Sequence, residues 1–365
     1  MSTNKSVLGY GALLALGLVA PLVVYPVLGM KVLCFALFAC AFNLLLGYTG
    51  LLSFGHAVFF GAAGYVAGHT IKVWGFPTEI GVLAGTAASA LLGFVFGGLA
   101  IRRSGIYFAM ITLALAQMMY FVFLQAPFTG GEDGLQGIPR GRLLGLIDLA
   151  DDFTLYYVVL AVFAVAFWLI FRTIHSPFGQ ILKAIRENEA RVVSLGYEVE
   201  RYKLMAFVLS AGLAGLAGAL KAVVFRFATL ADAFWQTSGE VVLMTLVGGM
   251  GTVIGPVIGA ATVVTLHNTL ADKVGPLLTV IMGVIFVTCV LLFRRGIAGE
   301  FARLYRSMVG ARPREPRAAV RRPEAGLAPV AKAEEPKAQA AKGDPMPQGP
   351  DDWAYRLFAE LEAKK

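Results

Sequence analysis

Gly248-Gly249-Met250-Gly251-Thr252-Val253-Ile254-Gly255-Pro256 places four glycines and a proline in nine residues, inside an apolar run from 239 to 270. Glycine and proline both weaken a helix, so this run does not read as one simple span. The rest of the chain needs that break. Hydropathy gives apolar segments near 7–29, 31–47, 57–74, 79–100, 104–125, 153–173, 204–225, 239–270 and 276–293. Lys and Arg in short loops favour the cytoplasmic side. Arg102-Arg103, the stretch Lys183, Arg186, Arg191, Arg201 and Lys203, and Arg294-Arg295 therefore belong on that side. The loop 126–152 sets Glu132, Asp133, Asp148, Asp151 and Asp152 against Arg140 and Arg142, and reads as external. From it, 153–173 runs inward and 204–225 outward. Were 239–270 a single crossing, 276–293 would end outside, against Arg294-Arg295. A discontinuous element that enters and returns to the same side restores the parity.

A second interruption occurs in the first half, at Leu46-Gly47-Tyr48-Thr49-Gly50-Leu51-Leu52-Ser53-Phe54-Gly55-His56. Irregular backbone at membrane depth is tolerated only where protein buries it or it lines a cavity. One glycine-interrupted apolar segment in each half points to a transport pathway. The competing reading is that these glycines are ordinary close-packing positions.

Composition agrees with a membrane protein. Of 365 residues, 58% are hydrophobic and 15% charged, and the mean hydropathy is +0.72; a soluble domain has about 45–50% apolar and about 25% charged residues. Glycine, at 42 residues, has no collagen-like period and suits close helix packing. Cys34, Cys40 and Cys289 lie in apolar runs without metal-ligand spacing. Residues 7–29 are long enough to span, and Ala20-Pro21 is a poor cleavage site, so this segment reads as a retained first span.

Between the sixth and seventh apolar segments lies Ile174-His175-Ser176-Pro177-Phe178-Gly179-Gln180-Ile181-Leu182-Lys183-Ala184-Ile185-Arg186-Glu187-Asn188-Glu189-Ala190-Arg191-Val192-Val193-Ser194-Leu195-Gly196. Ser176 suits an N-cap with Pro177 at the first helical position, and Gly196 suits the stop. Ile181, Leu182, Ile185, Val192 and Leu195 form an apolar stripe. Such a helix docks into a groove on a cytoplasmic partner, or lies on the bilayer surface; the intermixed Glu187 and Glu189 favour docking, because interfacial helices carry mainly Lys and Arg.

This loop resembles that of branched-chain amino acid ABC importer permeases of the LivM type. Three further blocks agree in order: Asn43 to His56, Thr129-Gly130-Gly131-Glu132-Asp133-Gly134-Leu135-Gln136-Gly137-Ile138-Pro139, and Gly248-Gly249-Met250-Gly251-Thr252. Together they cover roughly residues 30–300. Gln117 departs from the family, many of whose members carry an acidic residue there.

The chain thus reads as an all-α integral membrane protein, a multi-span helical permease with two Gly-interrupted segments, and a disordered cytoplasmic tail that continues past the point where family members commonly end. The resemblance implies an ABC importer subunit. It would pair with a second, homologous permease (LivH-like), sit on two cytoplasmic ABC ATPase subunits and receive substrate from an external binding protein. ATP and Mg would bind those ATPases; no cofactor is expected on this chain, which lacks G-x-x-x-x-G-K-[ST]. The expected function is import of branched-chain or other hydrophobic amino acids across a bacterial inner membrane, without catalysis by this subunit. Asn43, Gly47, Thr49, Gly50, Ser53, Gly55, His56, Gly248, Gly249, Gly251 and Gly255 would line or shape the pathway. Ser176, Pro177, Gly179, Ala184, Arg186, Glu187, Glu189 and Gly196 would couple to the ATPases, with Arg186, Glu187 and Glu189 as polar docking contacts.

Rival readings are a urea or short-amide permease and a self-sufficient secondary transporter, which predicts carboxylates buried in the spans. A membrane enzyme needs a constellation that the four histidines do not form. His56 could also be a satisfied structural histidine. Lys221 and Arg226 are expected to snorkel to water. Glu240 reads as a helix-start carboxylate or as an attractor of an amino group.

Residues 1–300 then form the permease domain, with about 8–10 membrane segments and the coupling loop at 174–203. Residues 301–350 read as a basic, Ala/Pro-rich disordered linker, and 351–365 as a short amphipathic helix. The N-terminus and the tail are expected in the cytoplasm. Arg303, Arg306, Arg312, Arg314, Arg317, Arg321 and Arg322 attract anionic membrane lipid, which accounts for much of the net charge of +8 without nucleic acid.

Overall fold

Pro26 begins the first long helix of the bundle, α1 (Pro26–Thr49), because proline suits the first helical turn but cannot continue a helix from the preceding residues. The computed structural model describes residues 17–274 except Val23, Leu144 and Leu146, together with Gly11 and scattered positions between 277 and 299. The break at Val24-Tyr25 corrects the sequence reading, which ran the first span to Gly29. Of that span, residues 7–16 other than Gly11 lie outside the described residues, as do the linker 301–350 and the helix expected at 351–365.

After α1 come α2 (His56–Lys72), α3 (Thr78–Ala100), α4 (Ile106–Gln125), α5 (Asp152–His175), α6 (Pro177–Glu187), α7 (Glu189–Ser194), α8 (Val199–Phe225), α9 (Trp235–Gly248) and α10 (Gly255–Val274). Five of these, α1, α3, α4, α5 and α8, are long and apolar enough to cross a membrane. α1 and α8 form the buried centre, whereas α3 and α4 expose Leu83, Leu91, Phe94, Met110 and Phe121.

Small residues bring the helices together. Gly93 faces Ala211 and Gly97 faces Phe207, while the Ser89 hydroxyl donates to Ala211 O at 2.7 Å, so α3 runs antiparallel to α8. A Cβ at Gly218 of α8 would overlap the Phe60 carbonyl of α2. α9 and α10 fold back on each other as a hairpin, because Gly248 lies against the Gly255 carbonyl and Gly259 against that of Met244. Beyond α10, the chain comes back to the hairpin tip at Gly296, against Gly249.

The bundle has a basic end, where Arg102-Arg103 and α6 lie, and an acidic end built by residues 126–151. At the acidic end, β1 (Leu135–Gln136) pairs antiparallel with β4 (Phe227–Ala228), and β2 (Arg142–Leu143) with β3 (Ile147–Asp148). Arg140 ties this loop down: it reaches Asp152 of α5 at 2.6 Å and the Val224 carbonyl of α8 at 2.8 Å, while its own carbonyl accepts from Thr78 of α3 at 2.6 Å.

Lys221 corrects the expectation that it snorkels. It is 7% exposed and binds both oxygens of Asp232, at 2.8 and 2.7 Å. Asp232 lies in a 3-10 turn, Leu230–Ala233, and also accepts from the backbone and hydroxyl of Thr229. A carboxylate is therefore largely buried beside the spans, but held in an ion pair.

Removing one partner of a buried pair leaves an uncompensated charge, at a cost of about 3–5 kcal/mol. Asp232→Asn should lower the thermal unfolding temperature of the purified protein, and Lys221→Met/Asp232→Leu should restore most of the loss. A single variant as stable as the parent would contradict this.

Candidate functional site

The two glycine-rich interruptions meet. α1 carries Asn43 and Gly47 one turn apart, on the face turned towards the 249–254 break between α9 and α10. The Asn43 carboxamide is 2% exposed. Its Oδ1 accepts from the Gly251 N–H at 2.9 Å and its Nδ2 donates to the Thr252 carbonyl at 2.8 Å. One side chain thus satisfies a donor and an acceptor that the broken helix leaves open. Gly47 makes the slot: a Cβ there would overlap Asn43 Oδ1 and lie 2.8 Å from the Gly251 nitrogen. Within the tip, the Thr252 hydroxyl donates to Gly249 O at 2.7 Å and accepts from Gly255 N at 3.1 Å. Gly249 and Gly251 have φ of 117° and 76°, where an L side chain is strained.

The first interruption is satisfied by hydroxyls. Gly50 ends α1 in the left-handed region at φ 78°. Ser53 is buried and accepts from Gly55 N at 3.3 Å, and Thr112 of α4 accepts from Phe54 N at 3.2 Å. The Ala57 N–H donates to Ser238 of α9 at 2.9 Å. His56 is fully buried; its Nε2 lies 2.8 Å from the Ser210 hydroxyl, which donates to the Ala41 carbonyl at 2.5 Å. Phe42, Phe59 and Phe207 meet its ring edge-on. His56 thus joins α1, α2 and α8. Thr49 turns its hydroxyl back onto the Leu45 carbonyl.

The segment 176–196 differs from the single helix expected. It is two helices, because Asn188 leaves helical geometry (φ −161°, ψ 95°) and caps α7 by accepting from Arg191 N at 3.0 Å. Ser176 caps α6, ahead of Pro177, by accepting from Gly179 N at 3.3 Å. Gly179 permits the corner, since a Cβ would overlap the Ile174 carbonyl. Leu182 and Ile185 pack on Val192, Val199 and Ala206. Ala184, Glu187, Glu189 and Gly196 are exposed, and so are Val193, Leu195 and Tyr197. Glu189 is paired with Lys203 at 2.6 Å.

Arg186 is exposed as well, but its guanidinium reaches into the bundle. Its Nη1 donates to the Gly47 carbonyl, its stem lies 3.2 Å from where a Gly50 Cβ would stand, and Nη1 lies 3.2 Å from that of Gly251. Lys183 stands 5.6 Å over the Tyr48 ring. α6, the end of α1 and the hairpin tip therefore form one cluster at the basic end. It brings together Asn43, Gly47, Gly50, Gly249, Gly251 and Arg186; Ser53, Gly55 and His56 lie apart, against α4 and α8.

Sequence reasoning missed Thr112, Ser210, Ser238 and Asn188. Isolated hydroxyls in apolar helices carry no periodic signal, but Asn188 preceding Glu189 was a readable N-cap. Among the described residues, no group of three His, Cys, Asp or Glu could hold a metal ion.

Asn43→Leu removes two buried hydrogen bonds and strands Gly251 N and Thr252 O, at about 1–3 kcal/mol each. The variant should unfold several degrees lower and exchange the Gly251 amide faster in deuterium-exchange experiments. Unchanged protection of the tip would contradict the bridge.

The family described as "Branched-chain amino acid transport system / permease component" matches residues 27–293, and the chain belongs to it. Relatives include the high-affinity branched-chain amino acid transport system permease proteins LivM of Salmonella typhimurium, 28% identical over 253 residues, and of Escherichia coli, 29% identical over 255 residues. Each match covers 63% of this chain and 60% of the relative, so the chain spans about three fifths of their length. The ribose import permease protein RbsC of Bacillus subtilis is 29% identical over 196 residues, 50% of this chain and 58% of that protein. No solved structure matches the chain.

Proposed function

We propose that this member of the branched-chain amino acid transport system permease family imports branched-chain or other hydrophobic amino acids, driven by ATP hydrolysis in separate subunits. The observation that carries the reading is the cluster at Arg186. It connects an amphipathic, partly exposed segment outside the spans to both interruptions of the bundle. In a machine whose ATPases lie on another chain, force enters through such a segment. α6 and α7 supply the docking face, with Glu187, Val193, Leu195 and Tyr197 exposed. Arg186 transmits, because it holds Gly47 and lies beside Gly251.

In this reading the basic end faces the cytoplasm of a bacterial inner membrane, with the N-terminus and the tail. Two ABC ATPases binding ATP and Mg dock there, a homologous second permease completes the pathway, and a substrate-binding protein docks on the acidic end. Asn43, Gly47, Gly248, Gly249, Gly251 and Gly255 shape the pathway near its basic end; Ser53, Gly55 and His56 fix the helices beside it. The likeness to a ribose permease keeps the substrate open within this mechanism, and urea or a short amide is the alternative cargo.

The test is labelled leucine uptake in cells with and without this chain, with ATP depleted while the proton gradient is maintained, and with unlabelled urea as competitor. Uptake that needs the chain and ATP and ignores urea is the expected result. Uptake surviving ATP loss would sink the ATP-driven mechanism. Arg186→Ala should retain assembly and ATP hydrolysis but lose about tenfold in uptake, the scale of a lost hydrogen bond from a charged group. Glu187→Ala should weaken ATPase attachment instead.

A further inference from the structure

Charged side chains at membrane depth are rare and mark function or pairing. In this bundle Lys221, Lys203 and Arg140 are each answered by a carboxylate. Lys31 of α1 and Glu240 of α9 are not. Among the described residues neither makes an ion pair or a hydrogen bond, and their helices run side by side, the Thr245 hydroxyl of α9 donating to the Ala39 carbonyl of α1 at 3.5 Å. Each stands five residues inside the start of its helix, about 8 Å along the axis. Both helices start towards the acidic end: Gly29 touches Tyr156, near the start of α5, and α9 follows the turn that holds Asp232.

His267 joins them from a third element. It lies seven residues before the end of α10, about 10 Å in, on a helix that packs along both α1 and α9. Glu240 is exposed, and Lys31 and His267 are half-buried. The α10 face beside His267 exposes Thr265, Asn268 and Thr269, and α10 is not among the helices apolar enough to span on composition. A polar face with an unpaired cation and anion does not suit lipid. Apolar neighbours one turn away are half-buried on the same helices: Val27 and Phe35 beside Lys31, and Leu243 beside Glu240.

We propose that Lys31, Glu240 and His267 form a binding site for the zwitterionic head of an α-amino acid, with Val27, Phe35 and Leu243 receiving an apolar side chain. The argument is charge complementarity. A cation and an anion held apart offer partners to a carboxylate and an ammonium at once, whereas a closed ion pair would satisfy itself. Glu240 takes the ammonium, Lys31 the carboxylate, and the imidazole of His267 a further hydrogen bond. A sugar or urea, having no net charge at either end, gains little from this arrangement. The proposal rests on reading the chain as an amino acid permease.

The assembled transporter tests it in whole cells. Leu243→Cys, or Val27→Cys should the first fail to assemble, is placed in a chain whose native cysteines are alanine and labelled with a membrane-impermeant methanethiosulfonate. Labelling that millimolar leucine slows about tenfold, and urea does not, is expected, with the protection abolished by Glu240→Gln in line with one lost charged contact. In uptake assays, Lys31→Met should weaken the discrimination between leucine and leucinamide, which lacks the carboxylate; a purely structural lysine would lower uptake of both alike. A site that stays unlabelled, because a second permease or lipid covers it, overturns the proposal, as does labelling that leucine does not slow. Protection by leucine in a parent chain that imports no leucine would refute the importer reading and leave the site standing.

Discussion

The Asn43 carboxamide is the joint on which the architecture turns. Two helical interruptions, distant in sequence, each expose backbone groups that hydrocarbon cannot satisfy. Asn43 offers one acceptor and two donors from the side of an intact helix, and Gly251 and Thr252 use an acceptor and a donor of that set. The hairpin tip is fixed to α1 by these direct hydrogen bonds. Arg186 reaches the Gly47 carbonyl from outside the bundle, beside Gly50 and Gly251, where a Cβ would stand 3.2 Å from its side chain. The bridge depends on the missing Cβ of Gly47, and the reach on those of Gly50 and Gly251.

Away from the joint, the bundle is held together in a different way. Between α2, α3 and α8 glycine, alanine and serine replace larger residues, and main-chain carbonyls of one helix come against glycines of the next. Lipid supplies no hydrophobic drive for helix association, so such close approach, together with the Ser89 and Ser210 hydrogen bonds, does the holding. At the acidic end Arg140 and the Lys221–Asp232 pair pin loops to helix ends. The basic end instead combines α6, whose outer face is exposed, with a broken hairpin.

Much of this was legible in the sequence. Helix content followed from composition, and the fold-back of 239–270 followed from counting charges against crossings; the Gly248–Gly255 approach gives that reading its physical form. Proline at 26 was as strong a signal as the glycines, but an uninterrupted apolar run masked it. Other features were not legible. That Asn43 reaches Gly251 is a contact across more than two hundred residues, with no periodic trace. That Lys221 is paired depends on where a turn places Asp232. Arg186 sits on the polar side of an amphipathic pattern, and nothing in that pattern tells whether the polar side meets solvent or a backbone carbonyl.

The most direct test of the account is a distance measured through the transport cycle. Spin labels at Glu187, on α6, and Met250, at the hairpin tip, report whether the two move together; a third at Phe128, in the acidic-end loop, supplies the reference. Pulsed electron-resonance spectra of the assembled transporter, with and without ATP, should give an unchanged 187–250 distance while both sites shift relative to 128. A 187–250 distance that changes with nucleotide while the tip stays fixed would show that Arg186 does not carry motion from the docking segment into the bundle.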